Sequence, residues 1–387
     1  MKSFFLLLSF LATSIFFHAT AQNKPVFLNP PKLVPNPENY YKYSADSRKF
    51  TGISSMAVSP GGRLWVTWYA GITPGEDENN YVTVATSEDN GTTWEEVLVI
   101  DPDGKGPVRT FDPEIWIDPA GKLWVFWAQG ISGKIQVEQD GHLAGVWAIT
   151  ASNPEEKNPA WSAPRRIAEG VLMCKPTILS NGDWALPVST WFLTKNSAQM
   201  VVSSDQGKSF SVRGACHVPQ EIRTFDEHMI VERTDRSLWM LVRTKAGIGE
   251  SVSRDNGKSW SPLTNSNIEH PSARFFIRRL NSGNLLLVKH GPISFKTGRS
   301  HLMAFISKDD GKSWSKGLLL DERFSVSYPD GQQTEDGRIF ITYDYSRTGD
   351  QIIFVTSFTE NEITSGSHDE QILNVYKSRK IVSKGGR

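Results

Sequence analysis

Four short stretches of this 387-residue chain carry the residue types of nucleophilic and acid–base chemistry. They are Phe225-Asp-Glu-His-Met-Ile-Val-Glu232, Leu241-Val-Arg243, Gly298-Arg-Ser-His301 and Ser327-Tyr-Pro-Asp-Gly331. A tyrosine hydroxyl is a poor nucleophile at its free pKa of about 10; it improves when nearby arginines lower that pKa and a carboxylate such as Glu227 accepts the proton. The same arginines, Arg243 and Arg299, can grip a carboxylate through two-pronged charge-assisted hydrogen bonds. An acidic sugar is the ligand such a set suits. Each residue alone has a plainer reading: Tyr328 as a turn aromatic, either arginine as a rim ion pair.

His301 lies two residues after Arg299, so on an extended strand both point to one face, with an imidazole beside the carboxylate grip. His228 follows Glu227 directly and should point the other way. Further candidates stand where strands would begin: Arg109 and Asp112 in Val108-Arg-Thr-Phe-Asp-Pro113, Lys175 after Cys174, Trp191, and Arg274 in Ser272-Ala-Arg-Phe275. There an aromatic can stack on a sugar ring and a cation can meet sulfate or carboxylate, or either can pack against a neighbouring strand.

What must position these residues is set by a repeat. The pattern Ser-x-Asp-x-Gly-x-Ser/Thr-Trp/Phe occurs at Ser87–Trp94, 203–210, 253–260 and 307–314. Each copy suits a tight hairpin corner with an aromatic tucked beneath it. The last three begin 50 and 54 residues apart, and the 116 residues between the first two leave room for one decayed copy near Ala151-Ser-Asn and Trp161. Repeats of about 40 to 50 residues hold four short strands, the blade of a β-propeller, which predicts an all-β fold of six blades. Arg63–Trp68, Lys122–Trp127, Ser237–Val242, Asn284–Val288 and Arg338–Tyr343 read as copies of one inner strand. Pro25–Asn39, Pro-rich and polar, reads as a lead-in that closes the ring or wraps its side.

Lys+Arg 42 balance Asp+Glu 42, which removes the broad basic field a nucleic-acid partner needs but not a local basic pocket. Residues 1–22 have the make-up of a cleaved export signal: Lys2, an apolar stretch from Phe4 to Phe17, then Ala19-Thr-Ala-Gln. The expectation is a single propeller domain over 23–387, exported to the periplasm or medium, with no membrane span and as a monomer. Cys174 and Cys216 fall in neighbouring blades and are either a disulfide or two buried thiols. No metal-ligand spacing of Cys and His occurs, so neither a metal nor another cofactor is expected.

The repeated pattern resembles the Asp-boxes, or BNR repeats, of the sialidase superfamily over nearly the whole of residues 23–387. The resemblance implies a site at the propeller axis with Glu227, Arg243, Arg299 and Tyr328, the last as nucleophile. It also places the family's proton-donor loop at Gly75-Glu-Asp-Glu-Asn-Asn80, offering Asp77, with Glu76 and Glu78 beside it. One departure matters: where the family begins with an arginine in Phe-Arg-Ile-Pro, this chain has Phe50-Thr-Gly-Ile53. Arg48 is on the wrong face to replace it.

Two chemistries and one non-catalytic role fit these residues. In a retaining exo-glycosidase, Tyr328 attacks the anomeric carbon with Glu227 as its base and a loop carboxylate as acid. In an elimination, Arg243 and Arg299 acidify the C5 proton of a terminal uronic acid, and Tyr328 or His301 removes it as the C4 substituent leaves. Propellers similar to sialidases host uronate chemistry in bacteria that degrade algal polysaccharides such as ulvan. The missing arginine tilts the sequence reading toward elimination of water from an anionic oligosaccharide, ahead of hydrolysis and of carbohydrate binding alone.

Overall fold

The computed structural model describes residues 25–132, 142, 144–364 and 368–386, so the expected export signal lies outside the described residues. Six antiparallel sheets follow one another along the chain, within residues 32–101, 108–169, 171–216, 228–265, 276–321 and 326–384. The protein is an all-β propeller of six blades, to which the described residues add two short α-helices and four single 3-10 turns.

The four boxes explain the regularity. Each forms the corner between the third and fourth strands of a blade, in the first, third, fourth and fifth blades. Asp89 accepts hydrogen bonds from the Ser87 hydroxyl (2.8 Å) and the Thr93 amide (2.9 Å), and Asp205, Asp255 and Asp309 repeat both contacts. These bonds from backbone and hydroxyl donors hold all four carboxyls down at about 2. In the last three boxes the glycine also touches the blade before it, Gly207 against Trp124, Gly257 against Met200 and Gly311 against Trp239; a Cβ on Gly311 would come 2.5 Å from Trp239, at a left-handed φ of 87°. Each corner therefore fixes a turn, and the last three also lock one blade to the one before.

In the second blade the decayed copy survives as an isolated bridge between Ala151 and Trp161. In the sixth, α1 (Glu360–Thr364) and α2 (His368–Ser378) stand where a box would be, which is why the repeat fades there. The lead-in wraps the side: Lys32–Pro35 pairs with Glu95–Asp101 as an extra outer strand. The ring closes by packing, with Phe50–Val58 of the first blade against Val326–Gln333 and Arg338–Tyr345 of the sixth.

One reading needs correction. The apolar strands beginning at Leu64, Leu123, Leu238, Leu285 and Arg338 are the second strands of their blades, each flanked on both sides. Their tryptophans, including Trp65, Trp68, Trp127 and Trp239, lie fully buried between sheets. Continuous hydrophobicity marked burial on both faces, which belongs to the second strand; the innermost strand faces the axis and is more polar. Cys174 and Cys216 are free and buried. Among the described residues no helix is long and apolar enough to cross a membrane, and no group of three or more His, Cys, Asp or Glu could hold a metal ion.

Candidate active site

Three innermost strands share a local distortion that builds the axial site. In Phe50–Val58, Val108–Ile117 and Val326–Gln333 the pairing register slips, and Ile53, Asp112 and Tyr328 take left-handed φ values of 58°, 46° and 54°. Asp112 and Tyr328 each precede a proline, which has no N–H to give to the ladder. Such bulges re-aim a side chain that a regular strand would send into a neighbouring blade, at a cost of about 1–3 kcal/mol each.

The Tyr328 hydroxyl donates to Glu227 Oε1 at 2.8 Å and accepts from Arg243 Nη1 at 2.9 Å, while that same nitrogen lies 2.5 Å from Glu227. Glu227 stands just before the strand His228–Glu232, and Arg243 is on the strand paired with it. Arg299 donates to the Ser272 carbonyl and Arg243 to the Ser272 hydroxyl, so one serine spaces the two guanidiniums. The Arg299 guanidinium lies 5.6 Å from the centre of the Tyr328 ring. The structure thus brings Glu227, Arg243, Arg299 and Tyr328 together.

The electrostatics depart from expectation. Burial raises the Tyr328 hydroxyl well above its usual pKa, Glu227 adds to this, and Arg243, Arg347 and Arg299 oppose it without prevailing. The free protein therefore holds a neutral phenol already hydrogen-bonded to its base. The arginines act on charge that develops later.

Other expected residues are placed differently. His301 has a left-handed backbone (φ 53°) and an exposed side chain 3.0 Å from the Ser300 hydroxyl; the strand starts only at Leu302, so the same-face argument from Arg299 fails. Asp77 closes its own loop, accepting from the Thr73 hydroxyl and the Asn79 amide. Lys175 is not at the pocket mouth: it is a buried ammonium in the floor, 2.9 Å from Glu114 and 3.0 Å from Asp330. Arg274 is likewise a floor residue, donating to the carbonyls of Met173, Ser54 and Tyr328 beneath the tyrosine ring. Trp191 is 7% exposed and packs edge-on behind Phe225, whereas Phe225 and Phe192 are 38% and 41% exposed and form the accessible aromatic wall beside Arg243. Arg109 donates to Asn80 and covers the Phe111 ring, flanking Asp112. Arg48 is turned away, bonded to Glu96 and Ser383. His228 is a structural residue held between the carbonyls of Asp226 and Gln199.

Two residues gain importance. The Asp112 carboxyl is buried and makes no hydrogen bond among the described residues; burial first, then Glu76 and Glu227, push it well above the ordinary carboxyl range, against Arg109 and Arg347. Arg347, on the turn after Arg338–Tyr345, lies 4.4 Å from the Tyr328 ring centre, nearer than Arg299. Its one sequence signal was Gly52, since glycine inside a strand marks a close approach by another group. A cavity of about 400 Å³ opens here between Arg299, Ser327 and Arg347. Larger concavities lie elsewhere, one of about 460 Å³ around Ile178, Glu232 and Arg278 and one of about 750 Å³ around Val58, Ile117 and Gln332, and Tyr328 lines neither.

A profile of the family described as BNR repeat-like domain matches residues 62–341. Among solved structures, the NanB sialidase of Streptococcus pneumoniae is similar at 14% identity, over 87% of this chain and 71% of that one, with a TM-score of 0.66. The intramolecular trans-sialidase of Ruminococcus gnavus aligns at 15% identity over 85% and 98% of the two chains, TM-score 0.66. A protein of unknown function from Dyadobacter fermentans aligns at 14% over 79% and 92%, TM-score 0.61. No curated protein matches the chain.

Proposed function

Because the chain belongs to the BNR repeat-like domain family of the sialidase superfamily, and because its tyrosine and glutamate are already joined at the axis, we propose that it is a retaining exo-glycosidase that removes a terminal acidic sugar of the sialic-acid kind. The observation that carries this reading is the 2.8 Å hydrogen bond from Tyr328 to Glu227 under guanidinium groups. Arg243 and Arg299 hold the sugar carboxylate. The Tyr328 oxygen attacks the anomeric carbon as its proton passes to Glu227, so a raised phenol pKa is no obstacle: the hydroxyl ionises only as the bond forms. Asp112, kept protonated by burial, gives its proton to the departing oxygen. Water then attacks the tyrosyl-linked sugar, losing a proton to Asp112, and Tyr328 leaves with the proton returned from Glu227.

The missing arginine is what tilts the sequence toward elimination, with His301 as a candidate base for it. With Arg347 beside Tyr328 and His301 turned outward, both grounds weaken. Incubation with oligosaccharides ending in sialic acid or in uronic acid separates the chemistries. Release of free acidic sugar with retained anomeric configuration, and no absorbance from a C4=C5 double bond, is the expected result. New absorbance without new reducing ends would establish elimination instead, and neither signal would leave binding alone.

The proton donor has its own test. Asp112 must be protonated to act, and its pKa lies above the normal carboxyl value, so activity falls as pH rises through it. Asp112→Asn should lower kcat by about 10²- to 10⁴-fold and remove that alkaline limb from the kcat/KM profile. Asp77→Asn should leave the limb in place; its loss there instead would move the role to the loop.

A further inference from the structure

The family's first arginine would arise from the strand Phe50–Val58, where this chain has Thr51 and Gly52. At that point another chain segment has moved in. The Thr51 amide donates to the carbonyl of Arg347 at 3.0 Å, pinning the turn of the sixth blade against the first. A Cβ placed on Gly52 would lie 2.6 Å from Arg347 Cδ and 2.7 Å from Cγ, so the arginine stem runs through the space that any other residue at position 52 would fill.

The rest of the side chain is held in a fixed pose. Arg347 Nε donates to Asp344 at 2.9 Å and Nη2 to the Ser327 hydroxyl at 3.0 Å. Asp344 is itself fixed, accepting from the Ile53 amide at 2.7 Å and the Ser327 hydroxyl at 3.1 Å. Among the described residues Nη1 has only Glu76, 3.7 Å away on a half-exposed side chain. That distance is too long for a good hydrogen bond, and the Glu76 end of the pair, 46% exposed against 16% for Arg347, is open to water that screens it.

We propose that Arg347 is the third arm of the carboxylate grip, supplied by the sixth blade in place of the arginine absent from the first, with Glu76 as the internal carboxylate that a substrate displaces from Nη1. The proposal rests on the glycosidase reading and extends it to a specificity-determining residue. It makes Gly52 and Arg347 a complementary pair: the small residue exists so that the large one can reach the Tyr328 ring. It also restores a three-guanidinium site, which favours a sugar bearing its carboxylate on the reacting carbon.

A purely structural brace would occupy the same place, so the test reads carboxylate recognition directly. Calorimetry would compare the free acid and methyl ester of 2,3-didehydro-2-deoxy-N-acetylneuraminic acid on the parent protein, Arg347→Ala, Arg347→Lys, and Gly52→Arg combined with Arg347→Ala. The expected result is a loss of about 10- to 100-fold for the acid on Arg347→Ala with the ester little changed. Arg347→Lys should fall between, and the double variant should recover most of the affinity, which a brace would not allow. Should Arg347→Ala melt early, the double variant, relieved of the clash at Gly52, carries the comparison. Equal binding of the acid by parent and Arg347→Ala, while Tyr328→Phe still stops turnover, would overturn the third arm and leave the glycosidase standing. A parent that binds neither form and releases no acidic sugar would overturn both.

Discussion

Tyr328→Phe is expected to lower kcat on a sialic-acid-ended substrate by several orders of magnitude, on the order of 10⁴-fold, with KM changed only a few-fold. The phenylalanine ring keeps the face on which the Arg347 and Arg299 guanidiniums rest, at 4.4 and 5.6 Å, so the pocket should keep its shape. What disappears is the oxygen that bonds to the anomeric carbon and the proton that Glu227 receives. Glu227→Gln should act in the same direction but less severely, because the amide can still orient the phenol while accepting its proton poorly. Steady-state kinetics on both variants check this. If Tyr328→Phe stayed within about tenfold of the parent, the tyrosine would not be a nucleophile. An enzyme whose activity instead depended on His301 would be carrying out the elimination that the sequence alone favoured.

How much of this was legible depended on whether the signal was local. The boxes were readable because each is a closed set of contacts within eight residues, Asp309 bonding Ser307 and Ser313 in the same way that Asp89 bonds Ser87 and Thr93. Glu227, Arg243, Arg299 and Tyr328 could be ordered along the chain because each belongs to a segment similar to one in the superfamily. The basic residues at strand starts were not separable, because a cation there can face the pocket or the floor, and depth along a propeller axis is set by the bulges rather than by composition. Lys175 and Arg274 went to the floor, and Trp191 went behind Phe225. Arg347 was hidden for a different reason: it lies 295 positions from Gly52, and only the ring closure brings them together.

The floor residues give the second large effect, on stability rather than turnover. Lys175, Glu114 and Asp330 have side chains 4%, 0% and 2% exposed, and the ammonium also donates to the carbonyls of Met56 and Ile115. The Ser55 hydroxyl sits 2.6 Å from Glu114 and 2.8 Å from Asp330, so the two carboxyls share one small buried space. Lys175→Met should destabilise the fold by about 3–5 kcal/mol, since removing one partner of a buried ion pair leaves charge uncompensated. Burial and Asp330 already raise the Glu114 carboxyl, with Lys175 and Arg274 opposing, so loss of Lys175 raises it further. A carboxyl with a folded pKa above its unfolded one takes up protons on folding, and the fold gains stability as pH falls through that folded pKa. The deficit of Lys175→Met measured by denaturant unfolding should therefore be largest at neutral pH and shrink in mild acid, while kcat/KM of the folded variant at low temperature stays within a few-fold of the parent. A variant as stable as the parent but without activity would put Lys175 back at the substrate, where its position in the sequence first suggested it belonged.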